Sequence, residues 1–134
     1  MTERRLDIGP FRKALASLKK VMRMDPNDDV VRDAAIQRFE YTFELAWKMM
    51  ERHIQWVRSE RGGAPMVRKE LFREAARHAL ITDPERWFDH QEARNTTSHA
   101  YDENAARMVF AAIPLFTTDA EHLLKALAEH HDRS

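Results

Sequence analysis

Apolar residues recur along this chain at helical spacing, with no sustained period-two alternation. Phe11, Leu15, Leu18 and Met22 form one stripe, and Gly9 and Pro10 read as the N-cap and first residue of the helix that carries it. "MDPNDD" ends that helix, because a residue before proline avoids the α region. Asn27 or Asp28 can cap the next, which runs from about Asp28 to about Arg58. Val31, Ala35, Phe39, Phe43, Ala46, Met50, Ile54 and Val57 keep its spacing over a rod of roughly 45 Å. Ile36, Tyr41, Leu45, Trp47 and Trp56 widen the apolar surface beyond one stripe, which predicts a second packing surface, such as a partner subunit.

"SERGGAP" breaks the rod. A shorter helix follows over about Pro65 to Ala79, with Val67, Leu71, Phe72 and Ala75 inward. Asp83 and Pro84 open a fourth helix bearing Trp87, Phe88 and Gln91 toward Arg94. It should end in the polar "NTTSHAY", since Asn, Thr and Ser favour caps and turns. Asp102 can cap a fifth helix with Val109, Ile113, Phe116, Leu123 and Leu127, which Pro114 should kink. The pattern predicts one domain, residues 1–134: an all-α, antiparallel up-and-down bundle of about five helices.

Composition narrows the functions. Cysteine is absent, which excludes disulfides, thiol catalysis and thiolate metal sites. Basic and acidic residues balance at 22 each, so a nucleic-acid partner would need a local patch. One lies between Arg58 and Arg77, where Arg58, Arg61, Arg68, Lys69, Arg73 and Arg77 outnumber Glu60, Glu70 and Glu74; a solvated face is its default reading. No apolar run suits a secretory signal or a membrane span, so the expectation is a cytoplasmic protein with no membrane partner. There is no glycine-rich phosphate loop. His130 and His131 lie at a terminus expected to fray, without a third ligand, and His53 reads as a half-buried packing residue. Glu40, Glu44 and Glu51 lack the Glu-x-x-His partners of di-metal bundles. No metal and no cofactor are expected.

The remaining chemistry concentrates in "ARNTTSHAYDE", residues 93–103. Spacing alone is weak, because Arg73 and His78 in "REAARH" share the interval of Arg94 and His99. On a continuous helix five positions diverge by roughly 140°, so Arg73 and His78 should be solvated surface. At a helix end, a tight turn can instead fold His99 back beside Arg94 so that both face one small anion. Guanidinium grips phosphate oxygens in a fork, and imidazole exchanges protons near neutrality, a combination suited to phosphodiester chemistry without a metal. The competing reading has His99 capping the helix and Arg94 paired with a carboxylate such as Glu92 or Asp102.

Two stretches together resemble the HEPN-domain family, in its subfamily of nucleotidyltransferase substrate-binding proteins and HepT-type toxins. "IQRFEYTFELAWKMME" is similar to that family's central helix, and "RNTTSHAY" to its Arg-x4-His-x-Tyr signature. The segments between them, "APMVRKELFREAARHALI" and "DPERWFDHQEARN", also match in order, so the resemblance spans about Leu6 to about Leu127. It implies a homodimeric bundle in which two Arg-His motifs meet near the dimer axis. In active members that cleft is a metal-independent endoribonuclease acting on RNA. The resemblance implies that His99 assists attack by a ribose 2′-hydroxyl, Arg94 stabilises phosphate charge and Asn95 orients the site. It further implies that Tyr101 is the tyrosine adenylylated by a partner minimal nucleotidyltransferase encoded nearby, the antitoxin of a two-gene toxin–antitoxin module. The alternative is a non-catalytic substrate-binding subunit of a nucleotidyltransferase complex.

Overall fold

The computed structural model describes residues 5–58 and 65–131. They form α1 (Gly9–Met22), α2 (Asp29–Val57), α3 (Arg68–Arg77), α4 (Pro84–Thr96), a 3₁₀ turn (Thr97–His99) and α5 (Glu103–His131). The break at 59–64 expected from "SERGGAP" lies outside the described residues.

The acidic caps act as the sequence indicates. Asp28 accepts from the Val30 amide, Asp83 from the Glu85 and Arg86 amides, and Asp102 from the Ala105 amide. At α1 the start lies one residue earlier than expected. Ile8 is the N-cap, and the Asp7 carboxylate accepts from the Gly9 amide at 2.9 Å. α3 is shorter than the periodicity suggests. Its start is delayed because Val67 is extended and the Met66 amide donates to Glu51. Its end is a Schellman motif, with the Leu80 amide bonded to Ala75 and the Ala79 amide to Ala76. That geometry puts Ala79 at φ 60°, a left-handed position where glycine carries no penalty. α5 continues through Pro114, whose carbonyl accepts from the Thr117 and Thr118 hydroxyls.

The helices make an antiparallel up-and-down bundle in which α2 and α5 run parallel through the centre. Arg32 meets Glu103 at one end of this pair, and His53 meets His131 at the other. α1 and α4 pack on the two sides of it, and α3 closes over α2 and α4. Where they converge, Phe39 packs edge-on to Phe116 at 4.9 Å, and Phe43, Phe72 and Trp87 extend the aromatic cluster.

The apolar excess of α2 is largely used within the chain. Ile36 is buried, Leu45 packs against the core, Trp47 lies under Arg68, and Trp56 meets His131 edge-on at 4.7 Å. Tyr41 alone of that set is exposed. The carboxyl end of α5 is unlike the frayed terminus expected. His131 is buried, its Nε2 lies 2.8 Å from Nδ1 of a fully buried His53, and its Nδ1 accepts from the Leu6 amide.

Candidate functional site: the α4–α5 junction

α4 ends on its own hydroxyl side chains. Thr96 donates to the Glu92 carbonyl, Thr97 to that of Arg94 and Ser98 to that of Asn95, side-chain bonds back to the last turn that compete with continuation of the helix. The "TTS" run is therefore a helix stop built from sequence-local bonds. It leads into the 3₁₀ turn that carries His99, and the Asp102 amide returns to the His99 carbonyl before Asp102 caps α5.

Arg94 sits on the last turn of α4 and leans onto α2. Its Nε donates to Glu44 at 3.1 Å, and its Nη1 donates to Thr97 and lies 3.2 Å from Glu40. It pairs with neither Glu92 nor Asp102. The pairing expected from nearby sequence is overridden because α2 brings Glu40 and Glu44, one helical turn apart, to the same face. Among the described residues Nη2 makes no protein bond, so one edge of the guanidinium stays unspent. Glu44 also accepts from the Trp47 indole N–H, which fixes the carboxylate that fixes the arginine.

His99 and Tyr101 face solvent. Tyr101 is 87% exposed, and its ring lies 6.2 Å from that of His99. No hydrogen bond joins Arg94 to His99. Asn95 is exposed and accepts from the Gln91 amide, which in turn accepts from Nε of Arg68. The turn thus gathers a held guanidinium, an open imidazole and an open phenol within one junction.

Sequence reasoning missed a second polar cluster one turn earlier on α4. Buried His90 lies 2.6 Å from Asp119 of α5, and Arg86 grips the same carboxylate with two bonds. Burial holds His90 below its ordinary pKa, outweighing the opposing pull of Asp119. This clamp ties α4 to α5 and so sets where the Arg94 turn lies. Its partners are 29 and 33 residues apart, which no local pattern signals.

Among the described residues no group of three or more His, Cys, Asp or Glu is arranged to hold a metal ion. No helix among them is long and apolar enough to cross a membrane.

Comparison with known proteins places this geometry in a family. A curated relative, described as a probable ribonuclease HepT of Haemophilus influenzae strain Rd, is 36% identical over 113 residues, covering 80% of this chain and 77% of the relative. A solved H. influenzae structure, described as revealing the fold of a substrate binding domain of a nucleotidyltransferase, superposes with a TM-score of 0.82. It is 33% identical and covers 90% of this chain and 98% of that one. A crystal structure from Thermus thermophilus matches at TM-score 0.76 and 34% identity, covering 87% of this chain and 98% of that one. Residues 6–129 match the family described as nucleotidyltransferase substrate binding protein like, and the chain belongs to that family.

Proposed function

We propose that this protein is a cytoplasmic HEPN endoribonuclease of the HepT type, paired with and silenced by a minimal nucleotidyltransferase encoded nearby. The observation that carries the reading is the α4–α5 junction. There Arg94 is oriented by Glu44 and Thr97 with Nη2 unspent, and the His99 imidazole stands open to solvent five residues later. The similarity to a probable ribonuclease HepT supports it. In the reaction, His99 takes the proton of a ribose 2′-hydroxyl as its oxygen attacks the neighbouring phosphorus. The bond from phosphorus to the 5′-oxygen breaks, leaving a 2′,3′-cyclic phosphate. The departing 5′-oxygen takes a proton from the imidazolium of a second copy's motif across the dimer axis. Arg94 balances charge developing on the phosphate oxygens, and Asn95 steadies the turn beside it. Tyr101, exposed next to His99, is the site at which adenylylation would cover the cleft.

Total RNA incubated with the purified protein, beside Arg94→Ala and His99→Ala, tests this. Cleavage should be lost in both variants; equal cleavage by all three, or none by any, overturns it. The likeness to a nucleotidyltransferase substrate binding domain favours a second reading, in which the bundle is a non-catalytic subunit presenting Tyr101 to that enzyme. Co-purification with the nucleotidyltransferase, without cleavage of RNA, is the result that reading expects.

A further inference from the structure

The arginines between α2 and α4 are used differently, Arg73 lying over the Phe88 ring at 6.0 Å. Arg58 and Arg77 are spent on Glu74. Arg68 is different. Its guanidinium lies 3.5 Å from the centre of the Trp47 ring and donates through Nε to Gln91. Its two terminal amino groups make no bond among the described residues. A side chain needed only to close α3 over α2 would not have to leave these donors open. Stacking on the indole and the single Nε bond instead hold a planar cationic fork in place, the geometry that suits phosphate recognition.

Its position ties it to the Arg94 turn by two routes. Gln91, which accepts from Arg68, donates to Asn95 at 3.2 Å. Trp47, which Arg68 covers, donates to Glu44, and Glu44 holds Arg94. Burial lowers the Arg68 pKa, the Arg94 charge pushes the same way, and Glu44 and Glu51 oppose them. Both carboxylates are engaged elsewhere as well, Glu44 with Trp47 and Arg94 and Glu51 with the Met66 amide. Two guanidinium groups thus lie close enough to influence each other, each anchored at Nε, with both terminal amino groups of Arg68 and Nη2 of Arg94 free among the described residues. A polyanion with repeated charges can engage both guanidinium groups, where a single small anion would occupy one.

We propose that Arg68 is a second phosphate-binding residue, which takes the backbone phosphate next to the one that Arg94 handles on a single-stranded RNA. Trp47 and Gln91 are the positioning residues that hold its fork. This rests on the ribonuclease reading above.

The test measures binding and turnover separately. Binding of a fluorescein-labelled, mixed-sequence oligoribonucleotide is followed across a salt series in the His99→Ala background, with and without Arg68→Gln. Loss of one phosphate contact should flatten the slope of log affinity against log salt by about 0.7, and Arg68→Lys should keep it. In the active protein Arg68→Gln should raise KM about tenfold with kcat nearly unchanged. Should Arg68→Gln fail to fold, Gln91→Leu, which removes the Nε anchor together with the bond to Asn95, should still raise KM and, in an Asn95→Ala protein, lower the salt slope by the same amount. Parent-like slope and KM in a folded Arg68→Gln, or parent-like KM in Gln91→Leu, overturn the assignment and leave the ribonuclease reading standing. An Arg68→Lys slope as flat as that of Arg68→Gln overturns it too. Neither binding nor cleavage by the parent removes both.

Discussion

The two ends of the central α2–α5 pair use histidine in opposite ways. At the carboxyl end, His53 and His131 are buried against each other and against Trp56, with every ring contact inside the protein. At the other end, His99 stands on a three-residue turn in solvent, with Tyr101 as its ring neighbour. The first arrangement joins distant parts of the chain, and the second leaves a proton-exchanging group within reach of a substrate. The residue type is the same at both; burial separates a structural histidine from a reactive one.

Exchanging stability for activity should expose that contrast most clearly. His99→Ala should leave the urea midpoint nearly unchanged and lower RNA cleavage by about 10²- to 10⁴-fold, the usual worth of a general base. Full activity in that variant would remove the distinction between the two ends. His131→Ala should do the reverse. It strands the Leu6 amide and His53 Nδ1 without partners and should cost about 2–3 kcal/mol in urea unfolding, with cleavage by the surviving folded fraction intact. A stability loss no larger than that of His99→Ala would show that the pair is incidental.

How much of this can be read from sequence follows from range. The caps Asp28, Asp83 and Asp102, the helix spacing and the "TTS" stop all depend on residues a few positions apart, and the structure has them as expected. The partners of Arg94 escape local reasoning because Glu40 and Glu44 lie 54 and 50 positions away, and only the packing of α4 on α2 joins them. His53 and His131 are 78 residues apart, so local patterns treat them separately, one as half-buried and one as frayed. Among the site residues, the positions of Arg94, Asn95, His99 and Tyr101 at a helix end are legible in the chain, but what orients them is not.

Acid should act first on the sealed end. Burial, then the charges of His131, His130 and His78, push His53 down to about 4. Burial, then His130 and Arg5, push His131 down to about 4. The geometry explains why neither ring accepts a proton easily. His131 Nδ1 accepts from Leu6, so its Nε2 carries the hydrogen donated to His53 Nδ1, and an added proton sets two donors face to face. Above the ordinary value of 6.5 both folded and unfolded chains hold these rings neutral, and the contribution is complete. As pH falls from 6.5 toward 4 the unfolded chain binds protons that the folded one refuses, so stability declines. Thermal midpoints measured across that window should fall, and His131→Ala should flatten the fall; a level parent profile would contradict the depressed values.

The smallest effect separates backbone from side-chain control of the junctions. Ala79→Gly relieves the left-handed conformation after α3 and should raise stability by about 0.5–1 kcal/mol in urea unfolding. A loss would mean that the greater freedom of the unfolded glycine outweighs the relief.

The bond from the Leu6 amide to His131 has a kinetic consequence. Residues 125 apart share one contact, so the segment before α1 and the last turn of α5 cannot loosen separately. They are expected to open as a single cooperative unit. Amide hydrogens at Leu6 and in the final turn of α5 should therefore exchange at a common free energy, instead of fraying as two independent ends.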